Sequence, residues 1–292
     1  MRCLSIAPLE WLAMLIARLP QRAVLGLGRM LGLLSWPLLA SRRRVARINL
    51  ALCLPELSLG QQARLLRGNI IATATGALEL CRAWYAPARA LEGLAQIEGL
   101  EHLRQAMARG QGVLLLCGHF THTELAARLL TQALGSPVRV VVRRHNHPCL
   151  ERWFEAARQR VFGPTLAKKD MRALLRSLQS GQLVVYSADQ NFTYQNVFVP
   201  FFGVPAATLT AVPQIVKRGQ AQLSPFWFHR DDSGKYHLRI EAAWPDWATA
   251  SDEESAAIYM RELELAVRER PEQYLWVHRR FKTRPPGEPA VY

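Results

Sequence analysis

A histidine and a carboxylate, His119 and Glu124, stand five residues apart where the apolar run Leu114 to Cys117 passes through Gly118 into an amphipathic stretch ending near Leu130. The residue types suit proton transfer. A carboxylate that hydrogen-bonds one ring nitrogen fixes the imidazole tautomer and leaves the other nitrogen free as a base. Within one helix, five residues leave two side chains roughly 140° apart, so the pair meets only if His119 sits in the turn and Glu124 in the first helical turn. A second reading stands beside it: a turn histidine, and a solvated acid favoured by the helix dipole. Read as a pair, they lack an enzyme nucleophile, which suits activation of a substrate hydroxyl.

The elements that would deliver these groups alternate. Ser58 and Gln61 form a capping-box pattern opening a helix to about Trp84. A helix over 100–108 leads into a buried strand, 113–117, and a second buried strand spans 138–142. That second strand ends in a basic cluster, Arg143, Arg144, His145 and His147. A helix over 150–160 carries Arg152, Arg158 and Arg160. A helix over 169–180 is followed by a strand over 182–186, which puts Asp189 at a third strand end; alone, such an aspartate also fits an Asx-turn or helix cap. Residues 197–205 read as an unusually apolar loop with a use beside an acyl chain or membrane. A helix over 208–218, strands 222–228 and 236–241, and a helix from the Ser251/Glu254 capping box to Arg268 complete an α/β pattern with one catalytic domain, 42–292. Side chains at the carboxyl ends of such strands face a crevice, which is where α/β proteins place chemistry.

Charge and hydropathy point outward. Lys plus Arg number 37 against 23 Asp plus Glu, a net +14 that calls for an anionic partner. The basic residues are scattered and no recognition motif appears, which argues against nucleic acid. Residues 1–41 are apolar but broken at Pro20, and their second run contains Arg29. Arg42, Arg43, Arg44 and Arg47 follow it directly. The segment reads as a membrane anchor, spanning or interfacial, with its arginines on the cytoplasmic side. Gly28 and Gly32 would allow close helix contact. Five cysteines, Cys3, Cys53, Cys81, Cys117 and Cys149, show no short paired spacing and read as reduced. No P-loop, Rossmann fingerprint, GxSxG elbow or HExxH is present, and no metal or cofactor is expected.

Gly118-His119-Phe120 with Glu124-Leu125 resembles the HX4(D/E) motif of the glycerolipid acyltransferase superfamily. Arg44 to Glu56, Arg143 to Pro148, Gly181 to Asp189, Val197 to Gly203 and above all Pro271 to Pro285 resemble its lipid A biosynthesis branch, the late lauroyl or myristoyl acyltransferases. The resemblance covers nearly the whole chain. It implies a glycerolipid-acyltransferase-like αβ sandwich with an N-terminal membrane-anchoring helical segment. It implies transfer of a fatty acyl group from acyl carrier protein to a hydroxyl of an anionic lipid A precursor at the cytoplasmic face of the inner membrane, without a covalent enzyme intermediate. Carried over, His119 is the base and Glu124 its orienter. Arg143, Asp189, Arg279 and Arg280 are the candidates for substrate binding. Two departures stand out: Asn191 where the family often has a second acid, and the polar Thr121-His122-Thr123 inside the motif. The rival readings are the same chemistry on another envelope lipid or conjugate, and a non-catalytic membrane lipid-binding protein.

Overall fold

The computed structural model describes residues 6–244, 247 and 250–292. Ten helices and nine strands alternate through them. The first four helices are α1 (Ala7–Ala17), α2 (Gln21–Leu34), α3 (Ala40–Cys53) and α4 (Leu59–Tyr85); β1 (Ala95–Glu98) and α5 (Leu100–Ala108) follow. The central run is β2 (Val113–Cys117), α6 (Thr123–Leu134), β3 (Arg139–Val142), α7 (Pro148–Phe162), β4 (Leu166–Ala167), α8 (Met171–Gln179) and β5 (Leu183–Ser187). The chain closes with β6 (Asn196–Phe201), β7 (Val204–Leu209), α9 (Val212–Gly219), β8 (Gln222–Arg230), β9 (Tyr236–Ile240) and α10 (Asp252–Glu269).

Seven strands form a mixed sheet in the order β1-β9-β8-β2-β5-β3-β4, parallel except where β8 meets β9. Every residue of β2 is buried, as expected of a parallel strand covered on both faces. The capping boxes at Ser58 and Ser251 both form, so α4 and α10 start where their sequences specify.

The amino-terminal helices have 11 and 14 residues, and among the described residues no helix is long and apolar enough to cross a membrane. The spanning form of the expected anchor is therefore not supported. Pro20 splits the apolar run, and at 1.5 Å per residue the longer helix covers about 21 Å of a roughly 30 Å hydrocarbon layer. Instead both helices lie on α4 with small residues inward: Ala13, Ala17, Val24, Gly28 and Gly32 are the buried ones. A Cβ at Gly28 would fall 2.3 Å from Thr75 Oγ1, so the glycine is what permits this approach. The bulky residues Leu9, Trp11, Leu12, Leu15, Leu34 and Leu38 face outward.

The apolar stretch expected as a loop is the antiparallel hairpin of β6 and β7, turned at Phe202 and Gly203. Val199, Phe201 and Phe202 are buried, and the Phe202 N–H donates to Glu264 of α10 at 2.7 Å. Its hydrophobicity thus serves the core. The cysteine reading also needs correction: Cys53, Cys81 and Cys117 are free thiols, Cys149 is disulfide-bonded, and Cys3 lies outside the described residues. A bridge follows proximity in space, which spacing along the chain does not report.

Candidate active site

Strands β2 and β5 pair in parallel with Cys117 opposite Ser187. Each strand stops there, and two residues further on stand His119 and Asp189. The register alone makes them neighbours. Asp189 Oδ1 lies 2.5 Å from His119 Nδ1, and its Oδ2 accepts the His119 backbone N–H at 2.9 Å. A third hydrogen bond comes from the Tyr274 hydroxyl at 2.9 Å. Burial by itself would raise the Asp189 carboxyl; the charge of His119 and these three donors outweigh it and hold the group well below the usual carboxylate range. Asp189 is therefore an anion that fixes the imidazole. The His119 side chain remains 33% exposed, with Nε2 free of protein partners among the described residues.

Tyr274 belongs to the distinctive carboxyl-terminal stretch, which is laid along the His119 turn. Thr121 N–H donates to Gln273 O at 2.9 Å and Leu275 N–H to His119 O at 3.0 Å. Two buried asparagines hold this strap: Asn69 donates to Glu272 O and Tyr274 O at 2.8 and 2.7 Å, and Asn49 to Trp276 O and His278 O at 2.7 and 2.8 Å. A Cβ on Gly76 of α4 would fall 2.2 Å from Thr121 O, so α4 meets the same turn from its other side. His278 accepts the Asn191 N–H at 3.2 Å, and its pKa is pulled down to about 4, chiefly by burial. Asn191, standing where a second acid was expected, also donates to Thr283 Oγ1 at 2.9 Å.

Among the described residues Glu124 makes no hydrogen bond to His119. As expected it occupies the first turn of α6, but its carboxylate turns to Arg158 of α7 and Trp84 of α4. Arg158 Nη2 and Nε donate to Oε1 at 2.5 and 3.0 Å, and Trp84 Nε1 donates to Oε2 at 2.6 Å. The carboxylate that meets the His119 ring is Asp189, assigned from sequence to substrate binding. Glu124 and His119 still line one surface cavity of about 260 Å³, walled by Leu80, Leu125 and Leu275.

The basic candidates separate. Arg280 is 3% exposed and committed to the hairpin, donating to Ala207 O and Thr208 Oγ1 at 2.7 Å each. Arg279 is exposed and lies over the Tyr292 ring. Arg143 is exposed at the end of β3, in a different cleft from His119. His122 points into the core against Phe228 and Tyr236; burial, Arg230 and His229 keep it neutral. Among the described residues, no three His, Cys, Asp or Glu are grouped to hold a metal ion. Sequence reasoning did not single out Tyr274, Trp84 or the two asparagines. The length of the Pro271 to Pro285 match was the one signal that pointed to the strap.

Residues 8–283 match the model of the bacterial lipid A biosynthesis acyltransferases. The chain is 32% identical to a lipid A biosynthesis lauroyltransferase of Escherichia coli (strain K12), over 97% of this chain and 94% of that one. It is 31% identical to the palmitoleoyltransferase of that organism, over 94% and 90%, and 27% identical to its myristoyltransferase, over 99% and 89%. A match of this extent, around a histidine held at the ends of two paired strands, places the chain in the bacterial lipid A biosynthesis acyltransferase family, whose chemistry is acyl transfer.

Proposed function

We propose that this chain moves a fatty acyl group from acyl carrier protein to a hydroxyl of a lipid A precursor, with His119 as general base and no covalent enzyme intermediate. The observation that carries the reading is the imidazole itself, pinned through Nδ1 by a buried anion while its other edge opens on the cavity. Nε2 takes the acceptor's hydroxyl proton as the oxygen attacks the thioester carbonyl. The tetrahedral oxyanion then collapses, the carbon–sulfur bond breaks, and the thiolate leaves with the proton that His119 returns. Asp189 stabilises the imidazolium between these steps. Glu124 holds Arg158 beside the cavity, and Leu80, Leu125 and Leu275 offer an acyl chain an apolar wall. The relatives name three different acyl groups and one acceptor class, so acceptor chemistry carries over more firmly than chain length.

The protein works at the cytoplasmic face of the inner membrane, with residues 1–41 as its membrane-contacting part and 42–292 as the catalytic domain. This localisation rests on the outward Leu9, Trp11, Leu12, Leu15, Leu34 and Leu38, and on the arginines at 42–44 and 47.

Mass spectrometry of lipid A from cells with and without the gene tests the reaction. Loss of one secondary acyl mass is the expected result. Unchanged lipid A together with a shift in another envelope lipid overturns the acceptor assignment and favours the same chemistry on that lipid.

A further inference from the structure

The register of β3 and β4 sets two pairs of cations side by side. Val142 faces Ala167 across this parallel pair, and the Lys168 N–H donates to Val142 O at 2.8 Å, continuing the ladder. Arg143 and Lys168 therefore leave the two strands abreast, followed by Arg144 and Lys169. All four line one surface cleft of about 460 Å³, with Asn146, Tyr194, Val142 and Ala167.

Like charges placed opposite one another on neighbouring strands repel. Several arginines elsewhere are paired with carboxylates: Arg158 with Glu124, Arg230 with Glu79, Arg268 with Glu264, Arg270 with Asp232. Among the described residues none of the four cations forms an ion pair, and the one ring contact is Lys168 over Phe192 at 4.6 Å. Partial burial and the charge of Arg143 lower the Lys168 pKa, outweighing the opposite pull of the Asp189 charge.

We propose that this cleft binds a phosphate monoester carried by the acyl acceptor. A monoester brings close to two negative charges and three terminal oxygens; a diester brings one charge. Two arginine–lysine pairs match the former, with guanidinium groups gripping two oxygens at once. The cleft lies beyond the carboxyl ends of parallel strands, as His119 and Asp189 do, with β3 next to β5 in the sheet. Neighbouring strands are about 4.8 Å apart; His119 follows β2 and the cleft follows β3 and β4, so the two are separated laterally by roughly two to three strand spacings, on the order of 10–14 Å. Lys168 is close enough for its charge to act on His278 and Asp189. A headgroup that fills the cleft can present its hydroxyl to His119.

The identity of the acceptor rests on the acyl-transfer reading, so the test measures binding without turnover. Full-length His119→Ala protein is titrated with detergent micelles carrying lipid A precursor, either intact or treated with phosphatase. The same titrations are made with Arg143→Gln/Lys168→Gln and, separately, Arg144→Gln/Lys169→Gln added; these side chains are exposed, and unchanged thermal melting checks the fold. The expected result is binding of the intact lipid weakened at least tenfold by the first pair, with the phosphatase-treated lipid bound equally by all three proteins. Unchanged affinity for the intact lipid, or equal weakening for both lipids, overturns the proposal. In protein retaining His119, a raised KM for the acyl donor with acceptor binding unchanged also overturns it, and assigns the cleft to the donor's phosphodiester arm. Phosphate-dependent binding by a chain that transfers nothing would sink the reaction and leave the cleft standing.

Discussion

Two carboxylates flank the His119 turn, and they illustrate opposite ways of reaching it. Asp189 is 70 residues away along the chain and in contact; Glu124 is five residues away and turned elsewhere. Strand pairing explains the first, because β2 and β5 end level and deliver both groups to one crevice. Helix geometry explains the second, because the opening turn of α6 aims Glu124 at Arg158 and Trp84. Closeness in sequence is a weaker guide to contact at this turn than a shared strand end.

The largest effects should fall on the strand-end pair. His119→Ala is expected to abolish transfer, and Asp189→Asn to lower kcat by about 10³ to 10⁴ while the protein stays folded. Glu124→Gln loosens Arg158 and is expected to cost about 10²-fold in kcat. The reverse order, with Glu124→Gln costing more than Asp189→Asn, would return the orienting role to Glu124.

A third carboxylate sharpens the contrast by serving the fold alone. Glu79 is fully buried, and one of its oxygens takes hydrogen bonds from both Arg230 and Tyr236. Glu79→Ala would strand the Arg230 guanidinium and should destabilise by about 3–5 kcal/mol in urea unfolding. The smallest effect is on pH. His278 titrates near 4 in the folded chain against an ordinary 6.5, and His122 is also held well below its ordinary value. The unfolded chain then binds more protons once pH drops below about 6.5, so stability declines from there towards pH 4. Tm should fall by a few degrees across that window, and His278→Gln should flatten the slope.

Much of the local architecture was legible. The capping boxes at Ser58 and Ser251, the buried β2 and the helix after Gly118 stand where their residue patterns put them. The partner of His119 was not, because it depends on sheet order: β5, not the next strand β3, lies beside β2. Nor does a basic run reveal which member turns inward; Arg280 is consumed by the hairpin while Arg279 is exposed. The amino-terminal segment hid its orientation for a related reason. Its hydropathy counts large and small apolar residues alike, whereas packing on α4 selects the small ones and leaves Trp11 and the leucines outside.

The strap at 272–278 bears on how the enzyme comes into being. Tyr274 is 85 residues beyond Asp189, and the two asparagines that fasten the strap lie 203 to 229 residues before the carbonyls they hold. During synthesis, β2 and β5 can pair once both have emerged, yet the hydroxyl on Asp189 and the backbone bonds beside His119 arrive only with residues 273–275. Loop closures of this length are slow steps in folding. A growing chain therefore carries His119 and Asp189 without their full set of hydrogen bonds until residues 272–278 have also been made and folded back onto them.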